Sequence, residues 1–95
     1  MPAYVIADIT VHDAELYEDY RRRVPSVIER YGGRYLVRGG AFEVFEGEWQ
    51  PNRMIVLEFA DMDSLRRWYQ SADYQALLRI RQNAARTNLI AVEGV

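Results

Sequence analysis

The stretch Arg53-Met-Ile-Val-Leu-Glu-Phe-Ala60 decides how the rest of this chain is arranged. Side chains alternate across a strand, so Ile55, Leu57 and Phe59 share one face while Met54, Val56 and Glu58 share the other. Both faces are largely apolar, the composition of a central strand covered above and below. A chain of 95 residues covers one face with its own helices and has little left for the other. The shortage predicts a partner subunit and, on the partner-facing side of the sheet, a half-enclosed cleft where Glu58 sits.

Upstream, Ala3–Val11 alternates, with Val5, Ala7, Ile9 and Val11 on one face and Tyr4, Ile6, Asp8 and Thr10 on the other. Asp13 reads as a helix N-cap, with Glu15 in the first turn where the helix dipole favours negative charge. Tyr17, Tyr20, Val24, Val27, Ile28 and Tyr31 then recur at spacings of three and four, the buried stripe of an amphipathic helix. Pro25 falls inside it and predicts a kink or restart, because its ring crowds the carbonyl of Arg21. Gly32-Gly33 ends the helix, Gly32 taking the left-handed position.

Arg34–Arg38 reads as the second strand and Phe42–Glu46 as its continuation, with a bulge or bend at Gly39-Gly40. A loop containing Trp49 and Pro51 leads into the central strand. Downstream, Asp61 or Asp63 caps a helix whose inner positions include Leu65, Trp68 and Tyr69. Ser71-Ala-Asp breaks it, and a further helix with Tyr74, Leu77 and Leu78 inward runs to about Arg86. Thr87–Glu93 closes as a last strand. Strand, helix, strand, strand, helix, strand is the split βαβ arrangement. We expect strands one and three to be parallel at the sheet centre, with both helices on one face because each crossover is right-handed. All of 1–95 reads as one domain.

Composition removes several function classes. A net charge of −2 lacks the concentrated positive face that nucleic-acid backbones require. No apolar run reaches the roughly 20 residues of a membrane span, and no basic-then-apolar leader precedes Tyr4. The expected location is therefore cytoplasmic, with neither nucleic acid nor membrane as partner. The chain has no cysteine and one histidine, which excludes thiolate chemistry and makes a metal site an unfavourable reading.

Tyr-Val-Ile-Ala-Asp-Ile at 4–9, Tyr-Gly-Gly-Arg-Tyr-Leu-Val-Arg-Gly-Gly at 31–40, Glu-Gly-Glu-Trp at 46–49 and Trp-Tyr-Gln-Ser at 68–71 together resemble a small bacterial family. It is the family catalogued as domain of unknown function 1330, and the resemblance spans essentially the whole chain. The resemblance implies a ferredoxin-like βαββαβ fold assembled as a dimeric α/β-barrel, and supplies no activity and no catalytic residues. Relatives by fold range from cofactor-free monooxygenases to non-catalytic subunits, so the fold alone does not choose a function.

Among individual residues, Asp8 and Glu58 form the sharpest pair, both on the partner-facing side by alternation and on neighbouring strands. Two carboxylates close together in a poorly solvated cleft do not both ionise cheaply, so one would keep its proton near neutrality and could move protons. The competing reading is a structural ion-pair network with Arg34 or Arg38. His12 is a candidate general base at the cleft mouth, or an exposed loop residue beside the cap. Tyr17, Tyr20, Tyr31, Trp68, Tyr69 and Tyr74 fall at core spacings, yet some of them, with Tyr17, Trp68 and Tyr69 as the candidates, could also line an apolar pocket between helices and sheet. Trp49 reads as an interface residue on the partner subunit.

Two functions of different classes follow. One is a cofactor-independent enzyme acting on an acidic or aromatic metabolite, with Asp8 and Glu58 moving protons and Arg38 holding the anionic group. The other is a non-catalytic homodimeric module that binds a small molecule or supports another protein.

Overall fold

Alternation governs strand β1 (Ala3–Val11) in the computed structural model, which describes residues 1–95. Ala3, Val5, Ala7 and Ile9 are buried, and the residues between them are half-buried. Asp13 then caps helix α1 (Ala14–Arg30), its carboxylate accepting the Leu16 N–H at 3.1 Å. The helix ends as the glycine pair predicts. Gly32 has φ +82°, the Gly32 N–H donates to the Glu29 carbonyl, and the Gly33 N–H donates to Ile28. Those paired bonds satisfy the last carbonyls of the helix.

Pro25 does not interrupt α1, which runs through it unbroken. Proline has no N–H to give the carbonyl four residues back, so the Arg21 carbonyl needs another donor. Arg38 supplies it, its guanidinium donating to that oxygen at 2.7 Å.

The remaining elements are β2 (Arg34–Arg38), β3 (Arg53–Phe59), α2 (Met62–Gln70), α3 (Ala72–Ala84) and β4 (Ala85–Glu93). Asp61 caps α2 and Ser71 caps α3, each accepting a backbone N–H. The expected strand Phe42–Glu46 is absent, and the chain from Gly39 to Asn52 has no regular structure. Gly39, at φ +69°, donates to the Met54 carbonyl and then turns the chain away, which ends the pairing with β3. No helix is long and apolar enough to cross a membrane.

The sheet order is β2-β3-β1-β4, and every neighbouring pair is antiparallel. This corrects the expectation that strands one and three run parallel. Each helical crossover skips a position, so the parallel relations fall between β1 and β2 and between β3 and β4, each with one strand intervening. Helices cover one face only, as expected. Their buried stripes meet Ala3, Val5, Ala7, Ile9, Ile55, Leu57 and Phe59, and Trp68 stacks 4.2 Å from Tyr74 by ring centroids.

A bulge at Leu36, between Tyr35 and Val37, decides which way β2 presents its arginines. In an unbroken strand Arg34 and Arg38 would share a face. The extra residue reverses the phase, so Arg34 lies opposite Glu58 on the open face and Arg38 opposite Ile55 on the helix face.

The open face carries an apolar row across all four strands: Val37, Val56, Ile6 and Ile90, each opposite the next. Val37 is 38% and Ile90 59% exposed, with Val92 beside them at 42%. This is the uncovered face that the alternation of β1 and β3 predicts.

Candidate functional site

A small cavity of about 30 Å³, open at its mouth, lies between the helices and the covered side of the sheet. The sheet contributes aliphatic side chains, Val5, Ala7, Ile55 and Leu57 among them. The helices contribute rings: Tyr17 and Tyr20 from α1, Trp68 from α2 and Tyr74 from α3. Each ring falls on the inward stripe of its own helix, so the same periodicity that forms the core forms the cavity wall. Tyr35 of β2 completes the aromatic lining.

The charged groups of the cavity are guanidiniums, which only donate. Arg81 of α3 is only 5% exposed and has no carboxylate partner. One of its terminal nitrogens donates to the Tyr74 hydroxyl at 3.0 Å, and the Tyr74 and Tyr20 hydroxyls are 3.0 Å apart. Its Nε has no partner, and neither do Nε of Arg53 or Nε1 of Trp68. All three groups belong to residues that line the cavity, and none of them can accept a hydrogen bond. Burial raises the Tyr20 and Tyr74 phenols above their ordinary range and pushes Tyr35 up to about 12. The phenols therefore stay protonated near neutrality.

More cationic groups frame the mouth. Arg38 stacks over the Tyr35 ring at 4.7 Å while bonding the Arg21 carbonyl. Arg53 lies 5.8 Å from the Tyr17 ring centroid. A Cβ on Gly39 would run into the Arg53 guanidinium, so the glycine makes room for it. Arg21 is held by Glu18 through two bonds of 2.8 Å, which lowers the Glu18 carboxyl below its usual range. The lining offers guanidinium and phenol groups, with none of the carboxylate or imidazole ligands that divalent metals favour.

The residues singled out in the sequence divide between the two faces. Tyr17, Trp68 and Arg38 line the cavity. Tyr69 lies behind it, 5.9 Å from Trp68 and 5.5 Å from Tyr74 by ring centroids. His12 is an exposed residue of the β1–α1 connection, anchored through its backbone N–H to the Ala84 carbonyl. Asp8 and Glu58 are not brought together. In the antiparallel register Glu58 faces Tyr4 and Asp8 faces Met54, four residues apart along the strands, or roughly 13 Å. Glu58 bonds Arg34 at 2.7 Å, which, aided by the Tyr4 phenol, lowers its carboxyl below the usual range. Asp8 accepts from the Trp49 indole and the Asn52 N–H, both at 2.9 Å, and so anchors the end of the β2–β3 loop. The premise of two crowded carboxylates sharing a proton is thereby corrected. Within the single chain the more enclosed space lies on the helix side of the sheet, and Glu58 lines an open depression with Arg34 and Pro2.

Arg81, Arg53 and Tyr35 escaped the sequence-based site, although two carried a signal. Arg53 is in phase with Ile55, Leu57 and Phe59, and Arg81 sits three and seven positions after Leu78 and Tyr74 on a buried stripe. A charged residue in the phase of a core is the mark that was available. Arg38 has no such mark, because the bulge that turns it inward has no glycine to announce it.

Solved structures resemble this fold closely at low sequence identity. A protein of unknown function from Rhodopseudomonas palustris, RPA0582, superposes with a TM-score of 0.80 at 19% identity, covering 99% of this chain and 82% of its own. SnoaB from Streptomyces nogalater, a cofactor-independent oxygenase, gives 0.69 at 12% identity, covering 99% and 93%. A dimeric ferredoxin-like protein of unknown function from Jannaschia sp. CCS1 gives 0.68 at 11%, covering 99% and 100%. These likenesses establish a ferredoxin-like α+β fold. No curated protein matches the sequence. A family profile, "Domain of unknown function (DUF1330)", matches residues 2–95.

Proposed function

Because the chain belongs to the DUF1330 family, whose description assigns no reaction, we propose from the geometry that it is a homodimeric protein binding a small organic acid of aromatic character. The binding site in this reading is the small cavity between helices and sheet, which widens to admit the ring of the ligand. One observation carries it: Arg81 is buried among aromatic rings with no carboxylate to meet its charge. Burying an unpaired guanidinium costs several kcal/mol even after relaxation. A ligand carboxylate would meet that charge and the partnerless Arg81 Nε together. The rings of Tyr17, Tyr20, Tyr74 and Trp68 supply the apolar wall of such a site.

Homodimerisation is supported by the apolar row on the open face and by the dimeric state named for the Jannaschia neighbour. It closes that face and leaves the cavity on the opposite side of each sheet.

Calorimetric titration with benzoate tests the reading, with the Arg81→Met variant as comparison. The expected result is binding to the natural chain that weakens at least about tenfold in the variant, since charge-assisted bonds to a carboxylate contribute roughly 1.5–3 kcal/mol. Equal affinity in the two proteins would overturn it.

A second reading is cofactor-independent catalysis in the same cavity, favoured by the Arg81–Tyr74–Tyr20 chain of hydrogen bonds. There the protonated Tyr74 phenol, held by Tyr20, would donate a hydrogen bond to negative charge developing on the bound acid as solvent removes its C–H proton. Exchange of ligand C–H for deuterium, seen by NMR and lost in Tyr74→Phe with binding retained, is its expected sign.

A further inference from the structure

Charge is met unevenly around the cavity. At its mouth the Glu18 carboxylate is held by Arg21 through two bonds and also lies in the field of Arg38. In its floor no carboxylate is present. Arg81 is 5% exposed, and its hydrogen bond goes to the neutral Tyr74 hydroxyl at 3.0 Å. Its Nε is buried and unbonded. So is Nε1 of Trp68, a residue 1% exposed whose ring lies 4.2 Å from that of Tyr74. The room these groups share is about 30 Å³. A water molecule needs roughly 10–15 Å³ of such space, so the closed cavity suits one or two particles of that size.

We infer that the floor of the cavity is a site for a single monatomic anion, chloride, which meets the charge of Arg81. Charge selects an ion over water, because neutral molecules in the same room leave the buried guanidinium uncompensated. Size selects one atom over a polyatomic anion such as sulfate, and one negative charge balances one guanidinium. The unbonded floor groups are N–H donors, and an anion accepts from whichever direction they approach. The guanidiniums of Arg38 and Arg53 at the mouth favour the entry of anions over cations. An organic acid that enters the widened cavity needs the same guanidinium, so it displaces the ion. That competition rests on the organic-acid reading above, and the ion site stands without it.

Thermal scans in sodium chloride and in sodium gluconate of equal ionic strength test the site, gluconate being too large to enter. The natural chain is expected to melt about 4 °C or more higher in chloride, the shift given by an ion at several times its dissociation constant in a domain of this size. Arg81→Met should melt at one temperature in both salts. Should that variant fail to fold, crystals of the natural chain soaked in bromide are expected to show one anomalous peak in the cavity beside Arg81. Equal melting of the natural chain in the two salts, an equal chloride effect in Arg81→Met, or a bromide-soaked cavity holding only water would each overturn the anion site. Benzoate binding by the natural chain should weaken in step with added chloride. If benzoate binds through Arg81 while chloride has no effect on melting, the ion site falls and the organic-acid reading stands. If chloride stabilises through Arg81 and benzoate fails to bind at any salt concentration, the organic-acid reading falls and the ion site stands.

Discussion

Tyr35 shows how one side chain links the cavity to the stability of the protein. Its ring is held between the sheet and the Arg38 guanidinium, and burial raises its phenol from 10.0 to about 12. A folded-state value above the unfolded one means that the folded chain holds the proton more tightly. Its contribution is fully present below pH 10 and is lost as the pH rises toward 12. Tyr20 and Tyr74 are raised in the same direction, also by burial. The melting temperature should therefore fall steeply between pH 10 and 12, and less steeply in Tyr35→Phe. Thermal scans across that window check it, and identical slopes would show that Tyr35 titrates as an exposed phenol.

Among the elements, α1 and the β2–β3 loop depend on contacts outside themselves. Pro25→Ala restores an N–H beneath the Arg21 carbonyl and removes the ring from the helix interior. We expect net stabilisation of about 1–2 kcal/mol, the helix gain exceeding the lost rigidity of the unfolded chain. The restored bond competes with Arg38, so the Arg38 side-chain N–H signals should lose their protection by NMR. The loop from Gly39 to Asn52 carries Phe42, Val44, Phe45 and Trp49, all exposed, and is tied down at one end by Asp8. Asp8→Ala removes both bonds, at a cost of about 1–3 kcal/mol. Hydrogen exchange should accelerate at Asn52 and the Trp49 indole and stay unchanged in α3. Uniform acceleration would mean instead that Asp8 supports the whole sheet.

At the scale of the whole molecule, the sheet separates two surfaces with different tasks. The helix side encloses cationic groups among aromatic rings. The open side presents Val37, Val56, Ile6 and Ile90 in a continuous row, an apolar surface of the kind that monomers seldom leave wet. If two copies pack through this row, Ile90→Glu places a charge in the interface without touching the core, because Ile90 is 59% exposed in the single chain. Light scattering should then give the mass of one chain for the variant and of two for the natural protein. A single-chain mass for both would remove the dimer while leaving the cavity intact.

Local patterning in the sequence determined most elements, their caps and the face each strand turns inward. The reason is that helical and strand periodicity, Asp13 and Ser71 as caps, and Gly32 at a left-handed turn act within a few residues of themselves. Periodicity of two assigns a face but not a neighbour or a direction, so Asp8 and Glu58 looked adjacent until the antiparallel register put them at opposite ends of β1 and β3. The bulge at Leu36 reversed the faces of Arg34 and Arg38, and residues far apart in sequence, Tyr20, Tyr74 and Arg81, met only when α1 packed on α3. The location of the cavity was likewise decided by tertiary structure alone, because an enclosed space belongs to how elements pack and to none of them singly.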